Sequence, residues 1–184
     1  MNFKSIFAMA FMATALVGTT FSFVACEDDE KEEVVLGSQE DGTYIATADI
    51  TVGAGKQVMK LATVKSQNVI VATPKSYSPL ISISGYEADL PAGAPYSHIS
   101  QDRYQLTNVK STKLEDGTIQ LSGEEEVTMK LRMVMPGKTL ATTPYTEYKT
   151  KVKTQGTLKN GKLNLTNTFR PGNMPMDIVY TYTG

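Results

Sequence analysis

The chain of 184 residues has one cysteine, one histidine and no tryptophan. A single cysteine permits no internal disulfide and no cysteine-based zinc site. A single histidine permits no multi-histidine metal centre. The 18 Lys and Arg nearly balance the 19 Asp and Glu, so no net charge marks a nucleic-acid binder. No convincing 3.6-residue apolar stripe runs through the chain, and Thr, Val, Tyr and Lys stand where a helix would favour Ala, Leu and Glu. No glycine-rich phosphate loop of recognised spacing occurs, nor a loop of alternating carboxylates for calcium. No cofactor and no metal follow from the sequence.

What is present begins with an address. Lys4 precedes an uncharged apolar run, Ile6 to Val17, of the length of a signal-peptide core and too short to span a bilayer comfortably. Phe23-Val24-Ala25-Cys26 resembles the lipoprotein box of bacteria, in which the cysteine becomes the lipidated first residue of the mature chain. That reading takes residues 1–25 as the signal peptide and explains both the single cysteine and its place. The other reading is an ordinary secretory signal that leaves Cys26 as a free thiol, unusual in an exported protein. From Glu27 to Asp41 there are eight acidic residues and one lysine, with almost no apolar content. Residues 26–41 therefore read as a flexible, self-repelling tether. A cysteine followed at once by acids also resembles the surface-export signal of lipoproteins in a group of Gram-negative bacteria. The expected location is the outer membrane, lipid-anchored and surface-exposed, with the periplasmic face as the alternative.

Residues 42–184 form one domain by length. Their sixteen basic and eleven acidic residues give a positive charge that the tether masks. The apolar period is two. Val127, Met129, Leu131, Met133 and Met135 alternate with Thr128, Lys130, Arg132 and Val134, as in a strand with one buried and one wet face. Tyr44, Ala46, Ala48, Ile50 and Val52 alternate in the same way. Asn160-Gly161 predicts a two-residue type I′ hairpin, which sets Leu158 opposite Leu163 and Gly156 opposite Leu165. Val152 and Tyr148 then share the inner face, and Lys149, Lys151 and Lys153 the outer one. Further strands are expected at 69–73, 79–84, 103–109, 118–122 and 177–183, with a turn at Glu115-Asp116-Gly117. Glu124-Glu125-Glu126 reads as a charged edge or turn. Residues 74–100, with four prolines, read as a long irregular loop holding at most one short strand. Eight to ten strands joined by short turns point to an antiparallel barrel or sandwich, the last strand pairing with the first.

Gly42-Thr43-Tyr44 opening an alternating strand, the segment Gly156 to Leu165, and a last strand ending Tyr180-Thr181-Tyr182-Thr183-Gly184 resemble the lipocalin-like, or calycin-like, β-barrel lipoproteins of such bacteria. The resemblance implies an all-β antiparallel meander barrel with an internal apolar pocket. It carries over no catalytic residues. In a barrel Met129, Leu131 and Met133 point inward, with Ala46, Ala48 and Tyr148 as neighbours and candidate pocket lining. Methionine adapts to greasy ligands as well as to cores, and barrels of this size hold one small ligand. A filled core is the alternative.

The expected partners are the membrane, through Cys26, and a small hydrophobic ligand, with no nucleic acid. A structural or adhesive surface module with partner-binding loops is the rival function. A Ser–His–Asp arrangement can be drawn around His98, near Glu87, Asp89 and Asp102, but no strained nucleophile elbow accompanies it. The plainer reading is a solvated loop histidine. The protein is therefore expected not to be an enzyme. Lys130, Arg132, Lys149, Lys151 and Lys153 could attract anionic headgroups or glycans; a solvated sheet exterior is the plainer reading.

Overall fold

The computed structural model describes residues 41–54, 57–72 and 80–184. The expected signal peptide, Cys26 and the tether as far as residue 40 lie outside the described residues. Among the described residues there are eleven strands: β1 (Gly42–Ala54), β2 (Gln57–Ala72), β3 (Leu80–Ile83), β4 (Tyr86–Asp89), β5 (His98–Gln101), β6 (Tyr104–Leu106), β7 (Val109–Lys113), β8 (Ile119–Val134), β9 (Thr146–Lys159), β10 (Lys162–Phe169) and β11 (Asp177–Thr183). Among the described residues the only helix is a single 3-10 turn, Leu140–Thr142, and none is long and apolar enough to cross a membrane.

Every ladder is antiparallel, and the register shows that the strands form fewer staves than their number. Ile83 pairs with Tyr104 and Tyr86 with Gln101 at one constant offset, so β3 and β4 are one stave interrupted at Ser84-Gly85. His98 pairs with Val134 and Val109 with Gly123, again at one offset, so β5, β6 and β7 are a single stave along β8. The hydrogen-bonded path runs β4-β5-β8-β9-β10-β11-β1-β2-β3-β6. Its two ends are continuous in the chain with each other's partners, so the path closes on itself. The result is an up-and-down barrel of eight staves, in which β11 pairs with β1 as expected.

The stagger follows from the same pairs. From Ala48 the ladder passes through Tyr182, Leu165 and Gly156 to Leu121. In the other direction it passes through Val64, and along the β2–β3 register to Ala88, Ile99 and Met133. The two arrivals on β8 are twelve residues apart. Such stagger tilts the staves and fixes the width of the interior.

Local chemistry explains the breaks. A Cβ on Gly85 would lie 2.7 Å from the carbonyl oxygen of Gln101, so the bend there needs glycine. Where β6 leaves β8 for β3, Glu125 takes over the lost ladder. Its carboxylate accepts from the backbone N–H of Thr107 at 2.6 Å, that of Asn108 at 3.1 Å and the Thr107 hydroxyl at 3.0 Å. Glu124 to Glu126 are therefore not a turn or edge; they lie within β8, whose flanking pattern keeps its period through them. The expected strand at 103–109 is likewise divided by this departure. The stretch 74–100, expected to be mostly irregular, holds β3, β4 and the start of β5. Prolines obscured the alternation there. The 160–161 hairpin has the expected register, with φ of 51° at Asn160 and 71° at Gly161 as a type I′ turn requires.

The inner face is closed by aromatic rings. Tyr180 packs edge-on against Phe169 (centroids 4.9 Å), Tyr86 (5.8 Å) and Tyr182 (6.3 Å). The Tyr86 and Tyr180 hydroxyls are 2.7 Å apart. Asn167 donates to the Tyr104 hydroxyl at 2.7 Å and accepts from Thr154 at 3.0 Å. The barrel thus carries a mid-height layer of hydrogen-bonded tyrosines inside an otherwise aliphatic core.

Candidate functional site: one apolar mouth

The meander gives the barrel two unlike ends. One end holds the loops 90–97, 135–145 and 170–176, with the start of β2. The other holds the start of β1, the turns 114–118 and 160–161, and the end of β11. Of nine exposed large apolar side chains among the described residues, six lie at the first end: Val58, Met59, Met135, Leu140, Tyr145 and Met176. Inner-facing Ala88, Met133 and Tyr148 are only partly buried there, packed against the core together with Leu90 and Met174. We call this end the mouth. A rim of flexible, polarizable methionine suits an entry for apolar molecules.

The six residues singled out from the sequence all face inward. Ala46, Ala48, Met129 and Leu131 are each 1% exposed, and Met133 and Tyr148 are partly buried. Met129 pairs with Tyr148 across β8 and β9. Leu131 pairs with Gln101, and Met133 with Ile99. Ala46 and Ala48 lie across the ring on β1, beside Tyr182 and the end of β11. The mouth therefore gathers Leu131, Met133 and Tyr148, while the two alanines give room to the tyrosine layer.

Sequence reasoning missed Gln101. It is 1% exposed, and neither its amide oxygen nor its amide nitrogen has a hydrogen-bonding partner. It sits on the inner face between Tyr86 and Leu131, one pair inward from Ile99 and Met133. Nothing local marks it, because a glutamine beside Asp102 reads as the solvated end of a strand. Burial holds the hydroxyls of Tyr86, Tyr104, Tyr180 and Tyr182 well above the usual tyrosine range, so all four stay neutral. Tyr104 crowds the Tyr182 hydroxyl without meeting hydrogen-bond geometry.

On the outer face beside the mouth, Asp89, His98 and Ser100 do come together. His98 Nδ1 lies 2.8 Å from Asp89 and Nε2 3.0 Å from the Ser100 hydroxyl. His98 opens β5 with its side chain 12% exposed, so it is not a solvated loop residue. Ser100 is fully buried, and both Arg132 Nε and Nη2 donate to its oxygen at 3.3 Å. Arg132 pairs with Glu87, and its guanidinium lies 4.6 Å from the centre of the Tyr145 ring. The cluster ties the loop before β9 to the barrel wall. The basic rows are also partly paired: Lys130 with Glu147 and Lys151 with Glu124. Asp49, held by Lys60 and Thr63, has its carboxyl below the usual range. Two shallow depressions, one at Asp41–Ile45 beside Gly161 and one over Gln155–Thr157, lie outside the interior. Among the described residues no three of His, Cys, Asp or Glu gather to hold a metal.

An eight-stave antiparallel meander with its apolar residues facing inward is a closed up-and-down barrel. The chain belongs to the Calycin-like beta-barrel domain family, whose model matches residues 40–184. Its fold is similar to the crystal structure of a putative outer membrane protein from Bacteroides fragilis, with a TM-score of 0.51 at 20% identity. That match covers 78% of this chain and 50% of the other, so the chain spans about half the length of its structural relative. No curated protein matches the sequence.

Proposed function

We propose that this protein is a lipid-anchored outer-membrane lipoprotein, displayed at the surface, whose barrel takes a small hydrophobic ligand through the mouth and performs no catalysis. The observation that supports the ligand reading is the asymmetry of the ends: most of the exposed apolar side chains, with the part-buried inner residues Met133 and Tyr148, lie at one end of the barrel. The Ala25-Cys26 motif and the acids after it support the anchor and the address. The similarity to an outer membrane protein agrees with that location. The calycin-like fold is typically a binding fold, which favours a non-enzymatic role. Stable anchoring takes about two acyl-chain equivalents, which a multiply acylated cysteine supplies.

The second reading is a structural or adhesive surface module, favoured by the aromatic rings that fill the barrel at mid-height. Two measurements decide. Labelled palmitate should enter the chain in cells and be lost in Cys26→Ser; an unlabelled chain would refute the anchor. Native mass spectrometry of the Cys26→Ser chain should show a co-purifying small molecule or uptake of an added apolar one. A chain that takes up neither would establish the module.

A further inference from the structure

The ligand reading above leaves the chemistry of the ligand open, and one buried side chain narrows it. Gln101 lies just inside the mouth layer, fully enclosed, with both amide atoms unpartnered. Buried amides are ordinarily satisfied, because water released on folding must be replaced by another partner. Here the cross-strand neighbours are Leu131 and the ring of Tyr86, whose hydroxyl is turned to Tyr180. The surroundings also limit charge. Among the described residues no acid or base side chain is buried, and Glu125, on the inner face of β8, is already engaged by Thr107 and Asn108. The tyrosines beneath remain neutral. An ionic group entering here meets no counterion, and its desolvation goes uncompensated.

We propose that the barrel takes an amphiphile with an uncharged hydrogen-bonding head, of the alcohol or amide class, which enters head first and meets the side-chain amide of Gln101 while its hydrocarbon part lies against Leu131, Met133 and Tyr148. The direction follows from the order of the layers: the polar groups are deep and the apolar rim is outside. This inference rests on the reading of the interior as a ligand site. An amide both donates and accepts, so it serves a hydroxyl in either sense.

The test uses the full chain carrying Cys26→Ser, titrated with octanol, octanoate, octylammonium and naphthalene and followed by native mass spectrometry and tyrosine fluorescence. Octanol should bind at least tenfold more tightly than either ion. In Gln101→Leu, octanol affinity should fall tenfold or more, while naphthalene, which has no head group, binds as before. Naphthalene bound with octanol unaffected by Gln101→Leu would overturn the head-group inference and leave the ligand site standing. Failure of both probes to bind the folded chain would overturn the two together. If Gln101→Leu does not fold, competition in the chain with Gln101 intact decides: octanol should displace naphthalene at concentrations where octanoate does not, and equal displacement would refute the proposal.

Discussion

Raising the pH should unfold this barrel from its centre. Tyr86, Tyr104, Tyr180 and Tyr182 ionise near pH 10 when exposed and well above it in the fold, chiefly because burial disfavours the phenolate. Below pH 10 both states hold these protons, and the contribution to stability is constant. Above it the unfolded chain releases protons that the folded chain keeps, so stability falls as pH rises. One pH unit above the unfolded value costs about 1.4 kcal/mol per tyrosine. The four together cost about 6 kcal/mol near pH 11, against a total of roughly 5–15 kcal/mol for a typical domain. Exposed ion pairs such as Lys130–Glu147 are worth only about 0–1 kcal/mol each. Urea unfolding at neutral pH and near pH 11 measures the loss. Tyrosinate absorbance assigns it: of the nine tyrosines, these four should stay protonated while far-ultraviolet dichroism remains native. Tyr182→Phe should lessen the alkaline slope by one proton. If all nine titrate together near pH 10 in a chain with native dichroism, the buried layer does not exist.

Three further outcomes test the barrel wall. Gly156→Ala sets a Cβ 2.5 Å from the carbonyl oxygen of Asn164, so chemical denaturation should show a loss of about 2–3 kcal/mol; an unchanged midpoint would mean β9 and β10 are not so close. Glu125→Ala leaves the N–H groups of Thr107 and Asn108 without their acceptor, costing about 1–3 kcal/mol and speeding amide exchange at those two positions above all. Gly161→Val forces a β-branched residue to φ 71° and should cost about 1–2 kcal/mol in thermal unfolding; a neutral result would argue for a different hairpin.

The sequence by itself determined the local alternation and the hairpin chemistry. Val127 to Val134 and Tyr44 to Val52 could bury only one face each, and Asn160-Gly161 could close only one register, so the inward set that includes Met129, Leu131 and Met133 was legible before any coordinate. It did not reveal that Glu124 to Glu126 run through a strand, because Glu125 is accommodated there by Thr107 and Asn108 of the neighbouring stave, which lie some eighteen residues away in the chain. The strand expected at 79–84 is β3, but nothing in the sequence revealed β4, whose pairing with β5 spans a proline-broken stretch. Closure, stagger and the difference between mouth and base belong to the tertiary structure alone. Pairing partners far apart in the chain set them, and so does the unmet amide of Gln101: period and propensity describe one strand at a time, whereas the environment of a buried group is decided by the strands on every side of it.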